Sequence, residues 1–305
     1  MKNIRKTIFF FLIILIIVFS LLISLSKNKS ETTENINITS TVFPYYSLAN
    51  DLCSANANNL MLLKPGTESH TFEPTTQDII SIKNSDIFIY TGGESDKWVE
   101  TILSTINTDK IKIIRLMDYI DPITNEHHDH ITYDEHIWTS PKNAKKIVQI
   151  ICDALCEVNP RQADLFKNNL NNILKELNDL DKQFEETINS SDKTVIFADR
   201  FPFSYFAKDY GLNYISAFSS CAEESEPTVQ AMKNIINTIN KQNTKYVFYI
   251  EFSNQKIADT ISKETGTSKL LFHSCHNVTY EDFENNVSYI CLIKNNLKNL
   301  KEAIK

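Results

Sequence analysis

Short apolar runs alternate with amphipathic stretches along most of this chain. Runs that predict buried strands cover residues 36–43, 60–63, 86–90, 112–116, 193–198, 214–218, 245–251 and 270–273. The stretches between them carry helix start signals or apolar residues at helical spacing. Strands that alternate with helices in this way predict βαβ units and largely parallel sheets.

One amphipathic stretch is much longer than the others. Its apolar residues are spaced four, three, four, three and four apart: Phe166, Leu170, Ile173, Leu177, Leu180 and Phe184. This spacing predicts a single helix of about 25 residues, which at about 1.5 Å per residue could run the length of two domains. A coiled-coil interaction helix is the alternative. The pattern favours an α/β fold of two lobes, each a mainly parallel sheet flanked by helices, joined by one long rigid helix.

The first segment has the pattern of an export element. Lys2, Arg5 and Lys6 precede an apolar run over residues 8–25, which approaches the roughly 20 residues of a spanning helix. No small-x-small cleavage site is evident and no cysteine precedes Cys53, so an uncleaved membrane anchor is preferred over a cleaved signal peptide or a lipid anchor. The positive flank places the body outside the cytoplasm, on the outer face of the membrane, or secreted or periplasmic.

These patterns divide the chain into five parts. We expect a signal peptide or anchor at 1–26, a tether at 27–35, an N-terminal lobe at 36–158, the linking helix at 160–190 and a C-terminal lobe at 192–305.

Charge and cysteine content narrow the function classes. The 305 residues carry a formal net charge of -7, which disfavours nucleic acid as a partner and is compatible with a cation as ligand. Disulfides persist outside the cell, and Cys221 and Cys275 flank segments that could form a site. A disulfide between them is a hypothesis, because sequence alone does not determine cysteine connectivity.

Histidines are concentrated in one stretch, NEHHDHITYDEHIWTS. It holds four of the seven histidines, and the rest lie far away: His127, His128, His130 and His136 within it, and His70, His273 and His276 outside it. Imidazole together with carboxylate is the ligand set that zinc prefers. His70 follows a predicted strand, where open α/β sheets bind ligands. The distribution predicts one metal site gathered from distant segments, with a histidine-rich patch beside it.

Several motifs resemble one known family, the metal-binding receptors of ABC importers for zinc and manganese (cluster A-I substrate-binding proteins). PGTESHTFEPTTQDI is similar to the family's first-ligand motif, and DEHIWTSPKNA to its second-ligand motif. TGGESDKWVE resembles its glycine-then-tryptophan block, while YFAKDYGL and EESEPT resemble two blocks of the second half. The resemblance covers nearly the whole exported chain.

The resemblance implies a metal ion held between two lobes, with His70 and His136 as its first two ligands. The usual third position falls on Arg200, which cannot ligate a cation. Its neighbour Asp199 could substitute for it. The usual fourth position falls close to His273, and His276 lies in the same turn. Glu251 is a further, weaker candidate ligand.

The expected function is that of a monomeric extracytoplasmic receptor that delivers a divalent ion to an ABC permease and is not an enzyme. Zn²⁺ is expected over Mn²⁺ because the predicted ligands are rich in nitrogen. His127, His128 and His130 are expected to form an accessory metal-capture loop. A metal-dependent hydrolase is one alternative, although no HExxH or GxSxG motif occurs. A surface adhesin without bound metal is another, favoured by Arg200.

Overall fold

The structure is a computed structural model that describes residues 35–68, 71–127, 130–218 and 226–305, together with Leu15 and Ser20; the side chains of residues 125–132 are not described. The chain divides into two compact units, Met1–Asn35 and Ile36–Lys305. The predicted anchor and tether lie almost wholly outside the described residues. Among the residues that are described, no helix is both long and apolar enough to cross a membrane.

The first sheet is formed by four parallel strands in the order β2-β1-β3-β4. These are β1 (Ile36–Ser40), β2 (Ala57–Met61), β3 (Ile87–Tyr90) and β4 (Lys112–Arg115). All of β3 is buried, as its unbroken apolar run predicts. Helices of this lobe are α1 (Phe43–Cys53), α2 (Thr76–Lys83), α3 (Lys97–Leu103) and α4 (Pro141–Val158).

Strand β2 begins earlier than the apolar run at residues 60–63 predicts. Its polar residues Asn58 and Asn59 pair with Asn37 and Ile38 of β1 in parallel register. As an edge strand, β2 is held by backbone pairing on one side and needs few apolar side chains, so its polar half carries no strand signal. The pairing runs on beyond it, because Leu62 N donates to Ser40 O at 2.9 Å.

An antiparallel hairpin occupies the histidine-rich insert, where the sequence predicts a loop. Its strands are β5 (Thr124–His127) and β6 (His130–Tyr133). The segment lacks the apolar alternation by which a strand is recognised, so its pairing is visible only in three dimensions.

The long helix α5 (Ala163–Asn189) confirms the prediction from the apolar spacing. All six residues of the spaced series are buried: Phe166, Leu170, Ile173, Leu177, Leu180 and Phe184. They join one hydrophobic core that includes residues of both sheets, so the helix packs continuously against the two lobes.

The second sheet also has four parallel strands, in the order β10-β9-β7-β8. These are β7 (Val195–Phe197), β8 (Tyr214–Ser216), β9 (Tyr246–Tyr249) and β10 (Ser268–Leu271). Its helices are α6 (Ser204–Tyr210), α7 (Val229–Gln242), α8 (Lys256–Thr265), α9 (Tyr280–Glu284) and α10 (Tyr289–Ala303). Since the strands are parallel, the loops after β7, β9 and β10 leave the same edge of the sheet. The two-lobed α/β prediction is confirmed.

Candidate metal centre

His136 lies in the turn that follows hairpin strand β6 and is only 5% exposed. Its Nδ1 lies 2.8 Å from Asp134 Oδ1, and its backbone N–H donates to the same oxygen at 2.9 Å. The ring is therefore fixed by a carboxylate two residues earlier. With the Nδ1 proton committed to Asp134, the Nε2 lone pair is the one suited to bind a metal ion.

Asp134 stays ionised although it is buried. Burial alone would raise the pKa of its carboxyl group, but the adjacent His136 ring and the hydrogen bonds from His136 and Ser204 hold the pKa below its ordinary value. An ionised carboxylate against Nδ1 makes the imidazole a more basic ligand.

A second carboxylate, that of Glu135, fixes the same turn. Ser95 donates to Glu135 through its backbone N–H, at 2.9 Å, and through its hydroxyl group. A Cβ atom on Gly93 would lie 2.5 Å from Glu135 Cβ. Glycine is thus required in the TGGESDKW segment because the Glu135 side chain lies directly against the backbone.

His276 belongs to the loop after β10 and lies beside His136. Its ring centroid lies 5.4 Å from that of His136, with the ring planes at 90°. Trp138 packs against both rings, at 5.6 Å from His136 and 4.8 Å from His276. His276 is 7% exposed, so two buried histidines 140 residues apart in the chain (276 − 136) lie ring against ring.

The His276 loop is hydrogen-bonded to the first lobe. Asn277 Nδ2 donates to the backbone oxygens of Lys64, at 2.8 Å, and Thr67, at 2.9 Å. Trp138 Nε1 donates to Ser274 O at 2.8 Å. These bonds bring the segment that ends just before His70 alongside the His276 loop. His70 itself lies outside the described residues.

His273 is also buried in this loop, but its ring is committed differently. Its Nδ1 accepts a hydrogen bond from the backbone N–H of Cys275 at 2.9 Å. Glu251 Oε1 is 3.6 Å from Nδ1, too far for a hydrogen bond. Because Nδ1 accepts, the neutral ring carries its proton on Nε2. Asn296 fixes the His273 backbone, because its Oδ1 accepts from His273 N at 2.7 Å and its Nδ2 donates to His273 O at 2.8 Å.

Glu251 uses both carboxylate oxygens to hold the loop. One accepts from Ser274 N at 2.7 Å and the other from the Ser274 hydroxyl. The carboxylate therefore supports the backbone between the two histidines of this loop.

Asp199 and Arg200 lie at the end of β7. Asp199 is 5% exposed, and its oxygens accept from Arg200 N at 2.8 Å and Ile250 N at 3.3 Å. The Arg200 guanidinium group lies 3.7 Å from the Glu68 carboxylate of the first lobe. Both residues line a cavity of about 470 Å³ together with Glu68.

The predicted site residues thus fall into three groups. His136 and His276 meet, with His273 in the same loop and Asp199 at the end of a nearby strand. His70, His128 and Cys221 lie outside the described residues, and the side chains of His127 and His130 are not described. Within the part of the chain that is described, no three His, Cys, Asp or Glu side chains form a group that could hold a metal ion.

Cys275 has a free, buried thiol in this structure. Because its predicted partner Cys221 is among the residues left undescribed, the disulfide stays a prediction.

Sequence reasoning missed the residues that orient the histidines. Asp134 and Glu135 lie within the quoted DEH segment, so the spacing of Asp134 and His136 was a usable local signal. Asn296 and Ser274 act across the fold, and nothing in their local sequence marks them.

Comparison with known proteins gives this site its context. A family model described as "Zinc-uptake complex component A periplasmic" (ZnuA) matches residues 38–303. The chain belongs to the ZnuA family. It is similar to the zinc-binding lipoprotein AdcA of Streptococcus pneumoniae, at 27% identity over 93% of this chain and 59% of AdcA. This chain therefore spans about six tenths of that relative's length.

Two further ZnuA-family relatives match over most of both chains. The high-affinity zinc uptake system protein ZnuA of Bacillus subtilis is 23% identical over 89% of this chain and 88% of that protein. The crystal structure of the Zn(II)-bound ZnuA-like domain of Streptococcus pneumoniae AdcA aligns with a TM-score of 0.73 at 28% identity. It covers 88% of this chain and 99% of that domain.

Proposed function

We propose that this protein is an extracytoplasmic receptor that binds Zn²⁺ between its two lobes and delivers it to an ABC permease. The observation that carries this proposal is the contact between the buried rings of His136 and His276 in a ZnuA-family fold. The names of AdcA and ZnuA, which describe zinc binding and zinc uptake, support zinc as the ion. The N-terminal segment would keep the receptor at the outer face of the membrane, as a monomer.

The proposed ligands are His70, His136 and His276. His136 offers Nε2 because Asp134 holds its Nδ1 proton. His276 is preferred over His273, because His273 Nδ1 already accepts the Cys275 N–H and its Nε2 carries the proton. His70 is included because Asn277 fixes the segment that leads to it.

Asp199 has a structural role in this proposal. Both of its oxygens accept backbone N–H groups, so ligating zinc would cost at least one of these buried hydrogen bonds. Arg200 is paired with Glu68 and supplies no ligand atom. A nitrogen-rich set of three imidazoles suits Zn²⁺ better than Mn²⁺, which prefers oxygen ligands.

The proposal predicts a simple binding stoichiometry. The purified full chain, incubated with equimolar zinc and manganese and then desalted, should retain one zinc ion per chain by elemental analysis. Zinc affinity should be measured by calorimetry in competition with a chelator of known affinity. A chain that retains no stoichiometric metal would contradict the proposal and favour the adhesin alternative. Hydrolytic turnover by the zinc-loaded protein would instead favour the hydrolase.

A further inference from the structure

Helix α6 of the second lobe contacts the turn that carries His136. Tyr205, near the start of this helix, donates its hydroxyl proton to Asp134 O at 2.9 Å. The same hydroxyl oxygen accepts from Ile123 N at 3.2 Å. Ile123 O in turn accepts from Asp134 N at 2.8 Å. One side chain of the second lobe therefore holds both ends of the hairpin that precedes His136.

The neighbouring residue contacts the carboxylate itself. Ser204 lies close enough to the Asp134 carboxylate to help lower the pKa of that group. Asp134 is thus held at its backbone oxygen by Tyr205 and has Ser204 beside its carboxylate, while the same carboxylate fixes His136 Nδ1.

These contacts are protected from water. Tyr205 is 3% exposed, and burial raises the pKa of its hydroxyl group to about 12. The hydroxyl group therefore keeps its proton and remains a donor to Asp134 at any physiological pH. A buried hydrogen bond of this kind holds its partner in one position, because breaking it leaves a polar group without a partner.

We propose that Ser204 and Tyr205 are positioning residues that couple the placement of the second lobe to the orientation of the His136 ring, through Asp134. When α6 withdraws from the hairpin, Asp134 loses two of its partners and the His136 ring is no longer fixed for binding. Zinc would then dissociate faster. This inference rests on the proposed function in that it takes His136 as a zinc ligand.

The other end of α6 supplies a matched control. Tyr210 donates its hydroxyl proton to Asp181 Oδ1 of α5 at 2.7 Å. Replacing Tyr210 by Phe removes the same atom from the same helix and also breaks a buried contact of α6, but it leaves Asp134 untouched. General loosening of the helix can therefore be separated from loss of His136 positioning.

The first measurement is the rate at which zinc leaves the full-length protein for an excess of chelator. Partners of a ligating histidine typically change metal affinity by about 10–100-fold. Tyr205→Phe should raise the dissociation rate about tenfold, and Ser204→Ala should raise it in the same direction. Tyr210→Phe should leave the rate within about twofold of the parent, even where its melting temperature falls as much as that of Tyr205→Phe.

The second measurement needs no metal. In the metal-free protein labelled with ¹⁵N-histidine, the His136 Nδ1–H resonance reports directly on the hydrogen bond to Asp134. We expect its exchange with water to accelerate in Tyr205→Phe and to stay unchanged in Tyr210→Phe. Equal exchange in both variants would overturn the inference. So would a dissociation rate that tracks melting temperature alone.

The two measurements also distinguish failure of the inference from failure of the proposed function. If the parent protein binds no zinc, the proposed function fails. The exchange rate of His136 Nδ1–H then still decides whether Tyr205 positions the ring.

Discussion

Two turns of this molecule each place a buried histidine next to a carboxylate, and the two histidines are committed in opposite ways. In the turn after the hairpin, His136 Nδ1 donates to Asp134 at 2.8 Å. In the loop after β10, His273 Nδ1 accepts the Cys275 N–H at 2.9 Å, and Glu251 stays 3.6 Å away. Burial and a nearby carboxylate therefore do not identify a metal ligand. In both rings the fold commits Nδ1, and whether Nδ1 donates or accepts decides whether Nε2 keeps a lone pair for a metal ion.

The difference arises from where each carboxylate is attached. Asp134 lies two residues before His136 in the same turn and accepts from both its ring and its backbone. Glu251 belongs to a neighbouring strand end, and both of its oxygens are used by Ser274. The first carboxylate orients a ring, whereas the second supports a loop that presents a different ring, His276.

The largest effect that the comparison predicts is a difference in zinc affinity between His136→Ala and His273→Ala. Structural zinc sites contribute about 10–16 kcal/mol, so losing one of the three ligands should cost roughly 3 kcal/mol, or about 100-fold in affinity. We expect His136→Ala to show this loss by competition calorimetry. His273→Ala should keep zinc affinity within about threefold, because its ring carries no ligand atom.

Stability serves as the control for this pair. His273→Ala should lower the midpoint of urea unfolding, since it leaves the Cys275 N–H without its acceptor. If His273→Ala weakens zinc binding as much as His136→Ala does, the assignment of the two rings is wrong.

A second prediction concerns Asp96, a buried carboxyl group close to Glu135 of the His136 turn. Burial, together with nearby Glu135, raises the pKa of Asp96 to about 6, despite hydrogen bonds from Thr91 and Gly92. Below about pH 4 this carboxyl group is protonated in both states, and between about pH 4 and 6 the unfolded chain ionises first. Stability should therefore fall as the pH rises through this window, by about 3 kcal/mol for Asp96.

Asp96→Asn removes the charge and keeps an oxygen that can accept the two backbone N–H groups. The free energy of unfolding of the variant minus that of the parent, measured with urea, should increase from pH 4 to pH 7.5. The exposed Asp109→Asn provides the control and should show no such gain. A parallel pH profile for the parent and Asp96→Asn would contradict the prediction.

The support of the second loop should have a smaller effect. Glu251→Gln replaces one acceptor oxygen by an NH₂ group that faces a donor of Ser274. Hydrogen bonds to charged groups contribute about 1.5–3 kcal/mol, so we expect a loss of about 1.5 kcal/mol in free energy of unfolding. Zinc affinity should fall with it, because His276 depends on this loop. If the variant were destabilised but bound zinc with unchanged affinity, zinc binding would not depend on this loop.

The smallest effect is expected for the hairpin. Replacing His127, His128 and His130 together by alanine should leave equilibrium zinc affinity within about twofold, since a capture residue changes the rate of encounter and not the final site. Stopped-flow binding at low zinc concentration should show the slower association. A large loss of equilibrium affinity would instead place one of these histidines among the ligands.

The sequence predicted what depends on periodicity and could not predict what depends on contact. Helix α5 and the buried strands follow from apolar spacing, which each segment carries within itself. The polar first half of strand β2 and the hairpin lack apolar alternation, so their backbone pairing leaves no local signal. The Asn277 hydrogen bond to Lys64 joins residues 213 positions apart, so no local sequence pattern predicts it.

The same reason explains the ranking of the histidines. His273 and His276 have similar surroundings in the sequence, and the resemblance to the family's motifs favours His273. Only the Cys275 N–H at His273 Nδ1 and the His136 ring beside His276 distinguish them.

Zinc-edge X-ray absorption of the zinc-loaded protein tests the central assignment most directly. The parent should show three imidazole nitrogens at about 2.0–2.1 Å and no sulfur. His276→Ala should lose one imidazole, and His273→Ala should lose none. Loss of an imidazole in His273→Ala but not in His276→Ala would contradict this account of the site.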